Sequence, residues 1–596
     1  MDSNRAKVFM RKQNLNPSVA GKIFSGCWFG SPLTNLTLAS IRCESIGYNL
    51  GGGTVPGVQA NGGVLAPEAP ASADSLNLVQ GNLSLGGAAT LEAQLLESVD
   101  KFGNPLSLLA VTGNVALNNA AFAVRAPDLS QVGATFIVIS NLGPNAVTGT
   151  FAGKPEGTVF AATNAQGFVF SHRISYVGGN GNDVTLTVLA PLPSGQTRVW
   201  NGNDVDPFWS LTANWDASLR PANGDAVRFP VNATRRTNDH NLPVFLDTIT
   251  WEGSNYVQGG LSVLLGGLHA GQAAGTNEIN GSVQVIGAQT WAVSNAPATL
   301  RLSGGSGGIE TIVAAGGLGG GRSGLNGVGS VTKTGAGTLE LQNIRVFLTE
   351  GLAVQEGTLR LRRVEMAGVE NSSGLELHQG RVDVAESGAR SFSATAGELI
   401  VRLVQEDGTP SSQGLNASTV ALAPGVVFTV IGANQNVETA ALVCFDGAGL
   451  QIEGARLNAV LPGNLATGTQ INLAAYPEGL LSGTFAGLPE GGTTNFNGNA
   501  VQIRYADVLQ PGSNVRFIAL TVLPGPAPFF TDIVRINATT LILNGHATSG
   551  ATVTLEGTTN FENWTPLGSV VAGADDFGFV VNPTTLPFRF FRLRTP

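Results

Sequence analysis

Three glycine-framed patterns in this chain match arrangements that perform chemistry in other contexts. Gly304-Gly305-Ser306-Gly307-Gly308 has the G-x-S-x-G spacing that places a serine nucleophile on a tight strand-to-helix elbow. Gly319-Gly320-Gly321-Arg322-Ser323-Gly324 has the G-x-G-x-x-G spacing whose N–H groups cradle a pyrophosphate at a helix N-terminus. No helical periodicity follows either pattern, and with 80 glycines in 596 residues such matches arise by chance. Gly178-Gly179-Asn180-Gly181-Asn182-Asp183 fits the G-G-x-G-x-D calcium pattern, with Gly178, Gly179, Gly181 and Asp183 as the candidate binding turn. That pattern works when tandem copies share each ion, and only one copy is present here. Asn and Gly are also the residues of hairpin turns, so a turn is the expected structure.

The other chemistry-bearing residues are scattered. His172, His240, His269, His378 and His546 fall in five separate segments, and none pairs with another at metal-ligand spacing. Each is expected to be a surface or satisfied structural histidine. Cys27, Cys43 and Cys444 form no C-x-x-C unit, so a zinc site is not indicated. A Cys27–Cys43 disulfide and buried free thiols remain equal alternatives. Asp204 and Asp206 lie between Trp200 and Trp209, where they could hold a cation or a sugar; a polar loop is the expected reading. The densest charge runs from Arg345 to Arg402 and includes Glu350, Glu356, Arg360, Arg362, Arg363, Glu365, Glu370 and Glu376. Acidic and basic groups converging from one face could cleave a polysaccharide, as paired carboxylates do. A solvated face is the simpler expectation.

Composition fixes the class of scaffold that must carry these residues. Only 12% of the chain is charged and 43% is hydrophobic, which excludes a disordered chain. High Gly, with frequent Asn, Thr and Val, predicts many short strands joined by tight turns. Net charge is −9 with no basic block, so nucleic acid is not an expected partner. No apolar run reaches the roughly 18 residues of a membrane helix. Arg5, Lys7, Arg11 and Lys12 begin the chain, but Gly21 to Ser31 is too short and Gly-broken to be the apolar core of a signal peptide. No cofactor pattern emerges, and the oligomeric state is not encoded in any recognisable signal.

Repetition organises the chain. Gly149-Thr150-Phe151-Ala152-Gly153-Lys154-Pro155-Glu156-Gly157 returns as Gly483-Thr484-Phe485-Ala486-Gly487-Leu488-Pro489-Glu490-Gly491, with one difference. Thr185 to Leu189 returns as Ala519 to Leu523, and each copy is followed by a proline-rich linker (Pro191 to Gly195, Pro524 to Pro528). A module reused at this distance indicates an array. A shorter period lies inside the second unit: Thr338-Leu339-Glu340-Leu341 recurs as Thr358-Leu359-Arg360-Leu361. That step suits stacked coils whose leucines point inward, and it places Glu340 and Arg360 outside, near each other.

Val331-Thr332-Lys333-Thr334-Gly335-Ala336-Gly337-Thr338-Leu339-Glu340-Leu341, closing at Gly357-Thr358-Leu359-Arg360-Leu361, resembles the autotransporter-associated β-strand repeat. Trp200-Asn201-Gly202, Ala213-Asn214-Trp215-Asp216 and Pro221 to Phe229 look like the N-terminal cap of large bacterial surface proteins of that kind. The resemblance spans roughly residues 51 to 525. It implies a right-handed parallel β-helix exported to the cell surface or beyond, with polysaccharide or another surface ligand as the expected partner. An outer-membrane barrel needs at least about eight alternating strands. The residues after Pro528 are too few to supply them, so self-transport is not expected.

The reading is an all-β protein of right-handed parallel β-helix (β-solenoid) units followed by a small β-sandwich-like domain. Residues 1–50 are poorly defined, 51–190 end a first unit, 196–523 form a second unit with a Trp-rich cap, and 529–596 form the C-terminal domain. The first unit has a closing module and no Trp-rich opening, so the chain is expected to begin inside an array. Trp564 and Phe590 are expected in the C-terminal core, with carbohydrate stacking as the alternative. The expected function is structural or adhesive and non-catalytic; the alternative is a polysaccharide lyase or glycoside hydrolase on the same scaffold.

Overall fold

The computed structural model describes residues 23–24, 36–38, 42–43, 55–65, 78–95, 109–125, 135–164, 167–189, 191–304, 324–348, 350–366, 374–404, 414–432, 440–463, 465–508, 513–524, 528–547, 551–573, 576–582, 584 and 590–595. Cys27, Ser306 and Glu370 lie outside the described residues, as do both glycine-framed catalytic patterns except Gly304 and Gly324.

Among the described residues the protein is all-β, with only two single-turn 3-10 segments in the cap. In the second unit, between Gly275 and Met366, each short strand pairs, in parallel, with the third strand after it. Gly275–Ile279, Ala298–Ser303, Thr338–Gln342, Thr358–Arg362 and Arg381–Ala385 form one such ladder. Ser282–Ile286, Gly324–Val328, Arg345–Leu348 and Glu365–Met366 form a second. Gln289–Val293, Ser330–Thr334, Gly351–Val354 and Leu375–Leu377 form a third. All three ladders converge on the long strand Ser387–Arg402, which pairs in turn with Leu415–Ile431. The 20-residue period of the sequence is the register itself: Leu339 lies opposite Leu359, and Leu341 opposite Leu361.

Alternation explains the core. Leu339, Leu341, Leu359 and Leu361 are buried, whereas Thr358, Arg360 and Arg362 on the same strand are only half-buried. One apolar cluster runs unbroken from Trp200 to Val522. No single turn of chain could enclose these leucines, so stacking supplies the burial.

Both units end in the same way. In the first, parallel strands Val55–Ala60, Leu78–Leu85, Leu109–Val111 and Thr135–Asn141 give way to antiparallel Asp183–Leu189, Val169–Gly178 and Val159–Thr163. In the second, Gln470–Pro477 pairs antiparallel with Val515–Val522, followed by Asn499–Asp507 and Thr493–Phe496. Apolar residues join the units: Phe168 and Phe170 of the first pack on Phe245 of the second, with centroids 5.4 and 5.3 Å apart.

Short paired segments also lie upstream of Gly51: Leu36–Leu38 pairs with the strand at Val58 and Arg42–Cys43 with that at Val64. One expectation is corrected here. The C-terminal region forms two three-stranded antiparallel sheets around Leu543, Val553, Leu555, Phe577 and Phe579, but Trp564 and Phe590 are not in that core. Phe590 is 40% exposed. Its strand, Phe590–Arg594, is an edge strand, and the core places are already filled by the two phenylalanines of Asp576–Val581.

Candidate functional site

The positions between the core leucines of the first ladder carry a column of alternating charge, and here Glu340 and Asp383 are buried rather than facing solvent as expected, because flanking arginines cover them. Glu278, Arg301, Glu340, Arg360 and Asp383 occupy one register position on five successive strands. Neighbouring strands lie ~4.8 Å apart, so each of the three inner charges, Arg301, Glu340 and Arg360, sits between two of opposite sign. Arg301 Nη2 is 3.2 Å and Arg360 Nη1 3.9 Å from Glu340 Oε2. Arg362 and Arg402 reach Asp383 at 3.1 and 2.8 Å. Burial pushes the Asp383 carboxyl up, but hydrogen bonding from Arg402 and the charges of Arg362 and Arg402 outweigh it and hold the pKa below the ordinary value. Beside this column stand four stacked threonines, Thr276, Thr299, Thr338 and Thr358.

Among the described residues, the charged side chains singled out in the sequence do not converge on a cleft. Arg360 and Arg362 belong to this column and its neighbour. Glu365 pairs with Arg345 at 2.7 Å on the second ladder, and Glu376 meets His378 at 3.0 Å on the third. Arg363 holds Glu386 at 2.8 Å, Glu356 accepts the Gly335 N–H at a corner, and Glu350 is exposed.

Lys333, the lysine of the repeat motif, is fully buried. Its ammonium donates to the carbonyls of Thr334, Gly335 and Glu356 at 2.8, 2.6 and 2.9 Å. Burial lowers its pKa to about 8, with Glu356 acting in the opposite direction. It fastens one corner turn to the next, and the glycines make room for it. Gly357 is at φ +70°, and a Cβ there would lie 2.2 Å from the Gly335 oxygen and 2.8 Å from Lys333 Nζ. Nothing in the residue type signals this, because lysines are almost always exposed.

In the cap, Trp200, Trp209, Trp215, Phe229 and Trp251 pack edge-on and stacked, all within the core. The indole N–H groups of Trp200, Trp209 and Trp215 donate to Arg235 O, Asn238 Oδ1 and Trp209 O, each at 2.8 Å. These rings are structural. Asp204 and Asp206 form a polar loop tied to Asn214 and Arg235 by main-chain contacts. Beside it lies an open pocket of about 480 Å³ lined by Asn201, Asn203, Asp216, Arg228, Thr234 and Glu252. Arg228 and Glu252 pair at 3.0 Å, and Thr234 donates to Asn203 at 2.7 Å.

The repeated nonapeptide builds one clasp twice. Tyr176 Oη accepts the Phe151 N–H at 3.0 Å and donates to Lys154 O at 2.6 Å, while the Glu156 carboxylate accepts the Tyr176 N–H at 2.6 Å. Tyr505 does the same with Phe485 at 2.9 Å, Leu488 O at 2.7 Å and Glu490 at 2.7 Å. The one differing position, Lys154 or Leu488, contributes only its carbonyl to the clasp, which is why its side chain can vary.

The calcium candidate is the turn of this first closing module. Gly178 pairs with Asp183 across an antiparallel hairpin. Asp183 is buried, and its Oδ1 accepts the Asn141 N–H at 2.7 Å. Gly179, at φ +55°, leaves room for the other carboxylate oxygen. Among the described residues no group of three His, Cys, Asp or Glu side chains is placed to share a metal. His172 is buried beside Phe160 and His240 is stacked on Trp209; burial lowers their pKa values to about 4 and about 3. Cys444 is a buried free thiol pushed up to about 12 by burial.

The displaced aromatics of the C-terminal domain cluster at its surface. Phe561 lies 3.9 Å from Phe590 and 6.3 Å from Trp564, and Arg592 stacks 4.2 Å over Trp564. Alternation alone could have raised this: Phe590 and Arg592 share a strand face, and Arg592 is bound to the buried Glu556 at 2.6 Å.

No family model, no curated protein and no solved structure matches the chain. No helix among the described residues is long and apolar enough to cross a membrane.

Proposed function

We propose that this chain is a right-handed parallel β-helix protein of the autotransporter-associated repeat type, exported to the cell surface or beyond, where it acts as a structural or adhesive scaffold through an extended surface. The observation that carries the reading is the column Glu278, Arg301, Glu340, Arg360 and Asp383. A cleaving site needs a carboxyl or cation free to act on substrate. Here the charges of the richest face are spent on their neighbours up and down the stack, which favours rigidity over reactivity. The corner lysine, the Trp-rich cap and the two tyrosine clasps serve the same end.

The polysaccharide-cleaving alternative rests on the same scaffold and is separated by experiment. Protease shaving of intact cells that make the protein, with immunodetection, should remove it from the surface, and the purified full chain should bind on a glycan array without consuming its ligand. Protection from protease in intact cells, with release only on lysis, would contradict the exported role.

A further inference from the structure

We infer that the cluster of Phe561, Trp564 and Phe590 is a stacking platform for the face of a neutral pyranose ring. This deepens the adhesive reading above by naming a ligand class and a place. Three observations carry it. The rings are at the surface although the domain has an apolar core of its own, and Phe561 is 60% exposed. The loop is built to hold that ring outward. Asn560 Oδ1 accepts the N–H groups of Glu562 and Asn563, both at 3.1 Å, and Phe561 sits at φ +61°, a conformation that a bulky residue adopts at a cost and that Gly or Asn would take freely. The strain therefore serves the position of the aromatic ring.

The occupant follows from size and charge. A fully buried aromatic side chain covers ~150–250 Å². Three partly exposed rings thus present at most a few hundred Å², short of the ~800 Å² that each partner contributes to a stable protein interface. A sugar ring offers a C–H face of that scale together with hydroxyls for a polar rim, and Glu562 and Asn563, both exposed, supply such a rim. Among the described residues the cations beside the rings are already engaged: Arg592 lies 2.6 Å and Arg594 3.7 Å from Glu556. With no uncommitted positive charge at the rings among the described residues, and with Glu562 exposed beside them, a neutral sugar fits better than an anionic one.

The test is retention of the full chain on microcrystalline cellulose and in native gels containing xyloglucan or galactomannan. Wild type should be retained by at least one of the three, equally at low and high salt. Phe561→Gly should weaken retention about tenfold, the loss of one stacking contact, while the C-terminal domain melts at the same or a higher temperature, because Gly relieves the left-handed backbone. Trp564→Ala should weaken retention as well. No retention of wild type on any of the three, unchanged retention of Phe561→Gly, or a lower melting temperature of Phe561→Gly would each overturn the proposal. Retention that survives in both variants would place sugar binding elsewhere on the scaffold and leave the adhesive reading intact.

Discussion

Replacing Tyr505 by Phe tests whether the repeated nonapeptide is a clasp. The substitution removes one oxygen and keeps the ring, which lies 6.3 Å from Phe485. That oxygen accepts the Phe485 N–H at 2.9 Å and donates to Leu488 O at 2.7 Å. Both contacts are buried, so the variant leaves one backbone donor and one acceptor without partners. Each such group costs ~1–3 kcal/mol, giving about 2–6 kcal/mol for the pair. A stacked protein need not unfold in one step, so the loss should be read locally by hydrogen exchange on the full chain. At about 1.4 kcal/mol per decade, the described amides between Phe485 and Val522 should exchange roughly 30- to 20,000-fold faster. Amides from Phe151 to Leu189 should be unaffected. Tyr176→Phe should produce the mirror result. Lys154→Leu, which installs the residue of the second copy, should cost no more than the ~0.5–1 kcal/mol of an exposed cation–π contact, Lys154 lying 4.0 Å over Phe160. If Tyr505→Phe changes exchange by less than threefold, or loosens both modules alike, the clasp is not what holds these ends.

Lys333→Met should destabilise the adjoining turns by several kcal/mol, because three carbonyls lose their donor. Its pH signature is distinct. With the folded pKa at about 8 and the unfolded value near 10.5, the unfolded chain binds the extra proton in between, so the lysine adds stability as pH rises from 8 towards 10. Tyr256, Tyr476 and Tyr505, raised by burial to about 12, act oppositely above pH 10, where only the unfolded chain ionises. Denaturant titration should show a rise and then a fall, with the rise absent in Lys333→Met. On the acid side His172 and His240, at about 4 and about 3, contribute stability that is present above pH 6.5 and lost as pH falls through those values. His172→Phe should make that acid limb shallower in the same titration. Gly357→Ala should prevent a soluble folded product or lower its melting temperature sharply, since the new Cβ would lie 2.2 Å from a backbone oxygen. Arg360→Met should cost under about 1 kcal/mol by melting, since the half-exposed arginine leaves Glu340 still paired with Arg301 and Asp383 with Arg362 and Arg402.

The sequence carried its period where the spacing was regular. Leu339, Leu341, Leu359 and Leu361 announced both the 20-residue register and the buried face, and Glu340 beside Arg360 followed directly. The rest of the charge column was hidden because its spacing is uneven: Arg301 precedes Glu340 by 39 positions, whereas Asp383 follows Arg360 by 23. Insertions at corners change the step without changing the register, and no fixed period survives them. The nonapeptide was visible as a repeat, but its purpose depended on Tyr176 and Tyr505, which lie at different distances from their copies. Lys333 stands just before the Thr338–Leu341 repeat, yet its burial depends on carbonyls from two successive turns. The tail was misjudged for a related reason. Aromatic residues in a small β-domain fill cores by default, and only the pairing of Phe590–Arg594 at a sheet edge shows which rings remain outside.

The central claim is that this surface holds ligands without transforming them. A depolymerisation screen of the full chain against neutral and anionic polysaccharides, read as new reducing ends and new unsaturated ends, tests it most directly. The account predicts no release above a heat-denatured control, whatever binding is seen. Time-dependent release that is lost on substituting Glu340, Arg360 or Asp383 would contradict it and make the charged column an active site.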